Sequence, residues 1–144
     1  MHWFVRQQLV FARRQGLLGT RDLLNSLCLA LMAGEEGEKR RANLVRLQAQ
    51  LRAGVGAILA RHPGLGWRLV ASDTPIQPLV IGENAAALRV AAILDRAGLR
   101  VPAIRPPTVA PGTARLRITL CGTHSAADID RLLAALAEAA AELA

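Results

Sequence analysis

Aromatic side chains are nearly absent: two Trp, two Phe and no Tyr in 144 residues. A core without rings must be aliphatic, and the stacking platform used by binders of single-stranded nucleic acid is missing. Cysteine is as scarce. Cys28 and Cys121 cannot build a disulfide framework or a four-ligand zinc site, so reduced thiols and a cytoplasmic location are expected. His2, His62 and His124 lie far apart without an i,i+4 partner, which argues against a metal site. No Walker loop is present. Gly54-Val55-Gly56 lacks a third glycine and falls inside a helical pattern, so a dinucleotide fingerprint fails as well. No apolar run approaches the ~20 residues of a membrane span. The longest, Leu23 to Ala33, contains Asn25 and Ser26, and no membrane partner is expected.

Lysine is rarer still. The 18 basic residues comprise 17 arginines and one lysine, Lys39, and the net charge is +7. A basic chain can serve a polyanion. Here the arginines run from Arg6 to Arg131 with no run longer than two, so no nucleic-acid partner is expected. The first 21 residues hold Arg6, Arg13, Arg14 and Arg21 with no acid before Asp22. Organelle transit peptides share that pattern, but so do short exposed amphipathic helices, and the usual Ser enrichment is lacking.

What the chain does have is aliphatic mass. With 52% apolar residues it is not a disordered sequence, and its length suits one domain. Leu44, Leu47, Leu51, Val55 and Ile58 recur at helical intervals and predict a helix from Glu35 to about Arg61. Its acidic first turn and the Glu35–Lys39 and Glu36–Arg40 spacings support it, and His62-Pro63-Gly64 ends it. A second helix is predicted from Asn84 as N-cap, with Ala87, Val90, Ala91 and Leu94 inward and Gly98 closing it. A third starts at Ser125 with Asp128 completing a capping-box variant, and buries Ile129, Leu132, Leu133, Leu136 and Leu143. A weaker helix covers Arg21 to Ala33.

Strand-like runs lie between these helices. Ile76 to Ile81 is apolar, with Pro78 marking an edge or a strand start. Leu99 to Arg105 is a second, and Trp67 to Ala71 adds another short one. In Arg115 to Leu120 the alternation is strict, so Leu116, Ile118 and Leu120 should face the core while Arg115, Arg117 and Thr119 face away. The order β, β, α, β, β, α behind a long helix predicts an α+β two-layer sandwich, with helices on one face of a mainly antiparallel sheet. Cys121 and His124 could be drawn as nucleophile and base, but nothing orients them; a core thiol beside a loop histidine is the simpler expectation.

Three stretches carry more than periodicity: Asp73-Thr74-Pro75-Ile76-Gln77-Pro78-Leu79-Val80-Ile81-Gly82, Ala103-Ile104-Arg105-Pro106-Pro107-Thr108-Val109, and Pro111-Gly112-Thr113-Ala114-Arg115-Leu116-Arg117. They resemble the C-terminal domain of the 8-amino-7-oxononanoate synthases, the biotin-pathway branch of the PLP-dependent α-oxoamine synthase family. The likeness extends to Glu35-Glu36-Gly37-Glu38-Lys39-Arg40-Arg41 and to Asp128-Ile129-Asp130-Arg131-Leu132-Leu133, covering about residues 21 to 143. Residues 1–20 then form an extension without a family counterpart, and 21–144 the small C-terminal domain of a fold type I PLP enzyme.

The resemblance implies roles. Arg117 corresponds to the arginine that binds the carboxylate of the amino-acid substrate, and a guanidinium suits this because it offers two parallel donors. Thr108 corresponds to a substrate-contacting threonine in the proline-rich loop, and Arg105 lies beside it. The family joins a pimeloyl thioester to L-alanine with loss of carbon dioxide, on PLP held by a lysine in a large domain. That lysine has no counterpart here, since Lys39 lies among Glu36, Glu38, Arg40 and Arg41, away from any desolvated setting. The expectations are therefore a chain that is inactive alone, that binds PLP poorly by itself, and that has a large PLP-domain partner or a second copy. The alternative is a free-standing small-molecule-binding or protein-interaction module derived from that domain.

Overall fold

The computed structural model describes residues 20–144, in two compact units that divide between Arg41 and Ala42. The readings made for the first 19 residues lie outside the described part.

The first unit holds helix α1 (Thr20–Ala33) and the opening turns of helix α2 (Glu35–Arg61). The break falls at Gly34, whose N–H still donates to the Ala30 carbonyl at 3.0 Å. The charged turn pairs with itself: Lys39 with Glu35 at 2.7 Å, Arg40 with Glu36 at 3.0 Å and Arg41 with Glu38 at 2.6 Å. Arg41 also donates to the Met32 carbonyl at 2.6 Å, capping the negative end of α1 with a cation.

The second unit carries the core. Leu47, Leu51, Val55 and Ile58 of α2 are buried as their spacing requires, and Leu44 packs half-buried beside them. A 3-10 turn (Pro63–Leu65) follows. Then come β1 (Arg68–Leu69), β2 (Ile76–Gly82), α3 (Asn84–Arg96), β3 (Ala103–Ile104), β4 (Ala114–Thr119) and α4 (Ala126–Leu143). The four strands form one antiparallel sheet in the order β1-β2-β4-β3. The predicted α+β class and strand register hold: Leu116, Ile118 and Leu120 are buried towards the helices, whereas Arg117 and Thr119 are exposed.

Strand register sorts the opposite face into rows. Arg68, Val80, Arg115 and Ile104 line up across all four strands, and Pro78 pairs with Arg117 in the next row. Helix α4 opens as the sequence implies. Ser125 and Asp128 close a reciprocal capping box, with the Asp128 N–H donating to Ser125 Oγ at 3.2 Å and the Ser125 N–H to Asp128 Oδ2 at 2.8 Å.

Three local expectations are corrected, and Gly98 closes α3 as expected. Glu83, not Asn84, occupies the N-cap of α3, and no side chain caps that end. Gly98 lies one position beyond the cap Ala97, at φ 76°; it donates to Asp95 while Leu99 donates to Leu94, the paired bonds of a Schellman turn. The strand expected over Leu99–Arg105 shrinks to Ala103–Ile104, although the Arg117 N–H still reaches the Pro102 carbonyl at 2.9 Å. Pro78 sits neither at an edge nor at a strand start, because β2 runs between β1 and β4. Its missing donor is tolerated for a specific reason. The Pro78 carbonyl accepts from Val70, just past the end of β1, and nitrogen and carbonyl of one strand residue face the same neighbour.

Candidate functional site

Arg117 projects from the middle of β4 on the face away from the helices, exposed, opposite Pro78. It forms no ion pair with any carboxylate among the described residues, leaving both arms of its fork open to an incoming anion. Along one side of its strand, Arg117 helps to line a cavity of about 160 Å³ with Pro102, Ile118, His124 and Leu132.

Arg105 and Thr108 close one turn, the Thr108 N–H donating to the Arg105 carbonyl at 3.0 Å, with a cis peptide between Pro106 and Pro107. Both side chains are exposed. Arg105 lines a separate open groove of about 660 Å³, with Leu88 and Ala92 of α3 and with Arg100 and Val101. Thr108 borders neither cavity. The three residues singled out by sequence therefore do not meet in one pocket.

The Cys121–His124 pair meets through the backbone of one and the ring of the other. The Cys121 backbone N–H donates to His124 Nδ1 at 3.2 Å, and Sγ lies 3.2 Å from Thr123 Oγ1. The thiol is exposed, not in the core. Among the described residues no group of three acidic, His or Cys side chains could hold a metal, and no helix is long and apolar enough to cross a membrane.

Sequence reasoning missed a polar cluster behind β2. Gln77 is fully buried; its Nε2 donates to the carbonyls of Ser72 at 2.9 Å and Thr74 at 2.7 Å, and its Oε1 accepts from Arg52 Nε at 3.3 Å. Gln48 adds a donation to Thr74 at 2.8 Å, and the Arg52 guanidinium reaches the Ser72 carbonyl. The available signal was phase: Gln77 alternates with Leu79 and Ile81 on the core face, where a polar residue must find partners.

No family model matches the chain. Curated relatives do. An 8-amino-7-oxononanoate synthase of Leptothrix cholodnii is 61% identical over 119 residues, 83% of this chain and 29% of the relative. The 8-amino-7-oxononanoate synthase 2 of a Polaromonas species is 61% identical over 115 residues, and the synthase of Cupriavidus metallidurans 57% over 115, each match covering 28% of the relative. The chain is homologous to the C-terminal portion of the 8-amino-7-oxononanoate synthases. It spans little more than a quarter of their length. Among solved structures, a serine palmitoyltransferase holding PLP superposes with a TM-score of 0.65 at 26% identity, covering 74% of this chain and 26% of that one. The serine palmitoyltransferase of Sphingomonas wittichii gives 0.62 at 26% identity. The architecture is thus that of the C-terminal domain of a fold type I PLP enzyme. The one lysine of the sequence, Lys39, is salt-bridged to Glu35, has a side chain 67% exposed and borders neither cavity.

Proposed function

We propose that this chain is the small, substrate-binding domain of an 8-amino-7-oxononanoate synthase, with residues 21–144 as the domain and residues 1–20 as an extension. The observation that carries this reading is 61% identity with a synthase over 119 residues. In this reading the complete enzyme condenses a pimeloyl thioester with L-alanine in the cytoplasm, releasing carbon dioxide. PLP, bound in a large domain outside these 144 residues, supplies the electron sink. The residues of this chain do not fit a PLP site of their own. A lysine that holds PLP needs a desolvated pocket, and Lys39 is a solvated ion-pair partner on a charged helix.

Arg117 is the carboxylate clamp for alanine. Its position in a strand interior, with no ion pair to any described acid, leaves the guanidinium uncommitted. Thr108 and Arg105 border the substrate from the proline-rich turn. The small domain contributes positioning and charge, and no proton transfer is assigned to its side chains. The partner is a PLP-domain chain or the remainder of the same polypeptide. A free-standing binding module finds no support in the relatives, which are synthases.

Co-production with the remaining portion of the Leptothrix cholodnii synthase tests this directly. The mixture should form 8-amino-7-oxononanoate from alanine and pimeloyl thioester, and this chain alone should form none. Arg117→Ala should raise the alanine requirement by on the order of 2–5 kcal/mol in apparent binding, the cost of losing a charge-assisted carboxylate contact, while Arg89→Ala on the exposed face of α3 leaves it unchanged. Turnover by the isolated chain, or an unaltered alanine dependence in Arg117→Ala, would overturn the proposal.

A further inference from the structure

The cavity beside Arg117 lies at a gap in the sheet. The Leu120 N–H points back past β2 to the Pro75 carbonyl at 2.9 Å, and bonding direction alternates along a strand. The odd-numbered residues of β4 therefore turn their backbone groups the other way, and Arg117 uses that side to reach the Pro102 carbonyl. Because β3 is only two residues long, Thr119 has no strand beside it on that side. Its N–H finds no backbone partner among the described residues. The cavity of about 160 Å³ fills the gap, bounded by Thr119, residues 99–102 and the first turn of α4.

Donors dominate its polar edge. His124 lines it in a fixed setting, with the Cys121 N–H donating to Nδ1 at 3.2 Å. Asn43 Nδ2 holds the same turn through the Gly122 and His124 carbonyls, at 3.1 and 2.9 Å. An imidazole that accepts at Nδ1 carries its proton on Nε2, so the nitrogen left for a ligand is a donor. The Thr119 N–H and the Arg100 guanidinium add two more. Asp128, the one acid on the wall, has Oδ2 committed to Ser125. The remaining wall is aliphatic, chiefly Leu99, Val101 and Leu132. An apolar cavity of roughly 150 Å³ takes up a six-carbon ring, so there is room here for a chain of about six carbons. Donors beside such a wall select an aliphatic chain that ends in a carboxylate.

We infer that this cavity seats the aliphatic arm of the acyl substrate, its methylenes against Leu99, Val101 and Leu132 and its distal carboxylate on His124 Nε2 and the Thr119 N–H. The inference rests on the synthase reading, in which Arg117 holds alanine and the pimeloyl group is a saturated arm with a carboxylate at its far end. An arm anchored next to the alanine clamp keeps the two condensing substrates together. Val101, half-buried on the wall, sets the chain length that fits.

Calorimetric titration of the full chain with straight-chain carboxylates tests the cavity without turnover. From propionate to hexanoate each added methylene should tighten binding about fourfold, and octanoate should gain nothing more. Hexanamide should bind more weakly than hexanoate. His124→Phe keeps a ring but no donor and should weaken hexanoate about tenfold. Val101→Ala should move the plateau to longer chains, Val101→Phe should abolish hexanoate binding, and Arg89→Ala should change neither. The Val101 variants carry the test should His124→Phe fold poorly. Absence of binding, affinity indifferent to chain length, or a plateau unmoved by both Val101 variants would overturn the inference. In the complemented enzyme, Val101→Ala should shift preference from the pimeloyl towards the longer suberyl thioester. If that enzyme turns over and its preference ignores Val101, the acyl-arm assignment falls and the synthase reading stands. If the titrations succeed and complementation fails, the ligand is a free aliphatic carboxylate, and the acyl-arm assignment falls together with the synthase reading.

Discussion

Gly54 of α2 lies directly against the isobutyl group of Leu133 of α4, so that a Cβ at position 54 would collide with it. Two turns of helix thus approach closely because one of them lacks a side chain. Gly56, two residues on, faces open space. The pair makes a sharp contrast. Gly56→Ala should stabilise by about 0.5–1 kcal/mol through helix propensity alone. Gly54→Ala should forfeit that gain by displacing Leu133, and Gly54→Val should destabilise by about 1–3 kcal/mol through overpacking. Urea unfolding of the three variants reads the ordering, and Leu133→Ala should rescue Gly54→Ala.

The Gln77 cluster predicts a specific non-additivity. Gln77→Leu removes one donor from each of the Ser72 and Thr74 carbonyls, but Arg52 still serves the first and Gln48 the second. The single change should cost about 1–3 kcal/mol. Adding Gln48→Ala deprives the Thr74 carbonyl of both side-chain donors, so the double variant should exceed the sum of the singles. Amide exchange should report the loss at residues 72–76 first.

Much of this fold was legible because its signals are local. The strict alternation in β4 placed Leu116 and Arg117 on opposite faces, and Ser125 with Asp128 fixed the start of α4. Pro78 was misread because the sequence does not show that β1 is only two residues long, which is what leaves room for a missing donor. The expected strand over Leu99–Arg105 is longer than the observed one because Leu99 and Val101 pack against the core outside the ladder. The candidate site was legible only residue by residue. Arg105 and Thr108 are close in sequence, yet the turn joining them leaves Arg105 lining a groove beside α3, and Arg68 joins the row of Val80 and Arg115 only through strand pairing.

Asp128 gives the domain a pH dependence of known sign. Its carboxyl is held below the ordinary aspartate value of 3.8, first by the Ser125 backbone N–H, then by the Ser125 hydroxyl, with smaller help from His124 and Arg131. A carboxyl depressed on folding stabilises above its unfolded value and loses that contribution as pH falls through the folded one. Asp128→Asn should therefore lower the melting temperature at neutral pH, and the difference from the parent should shrink towards zero near pH 2. A difference that grows on acidification would contradict the assignment. Ser125→Ala should cost about 1 kcal/mol, as for other N-caps.

Mixing the purified chain with PLP and reducing with borohydride should label Lys39 and the N-terminal amine weakly and in proportion to reagent. No saturable absorbance change should appear. Specific, stoichiometric labelling at Lys39 would mean that the Glu35–Lys39 pair opens to hold the cofactor, and the assignment of PLP to another domain would be wrong.

Both margins of the sheet are only two residues long, Arg68–Leu69 on one side and Ala103–Ile104 on the other. Prolines fence the second: Pro102 before it, Pro106 and Pro107 after it, each without a backbone donor. A stray extended chain arriving at either margin finds a template too short to hold it, and next to β3 it meets positions that cannot donate. Borders this short leave a chain rich in aliphatic residues little edge on which another strand can be added.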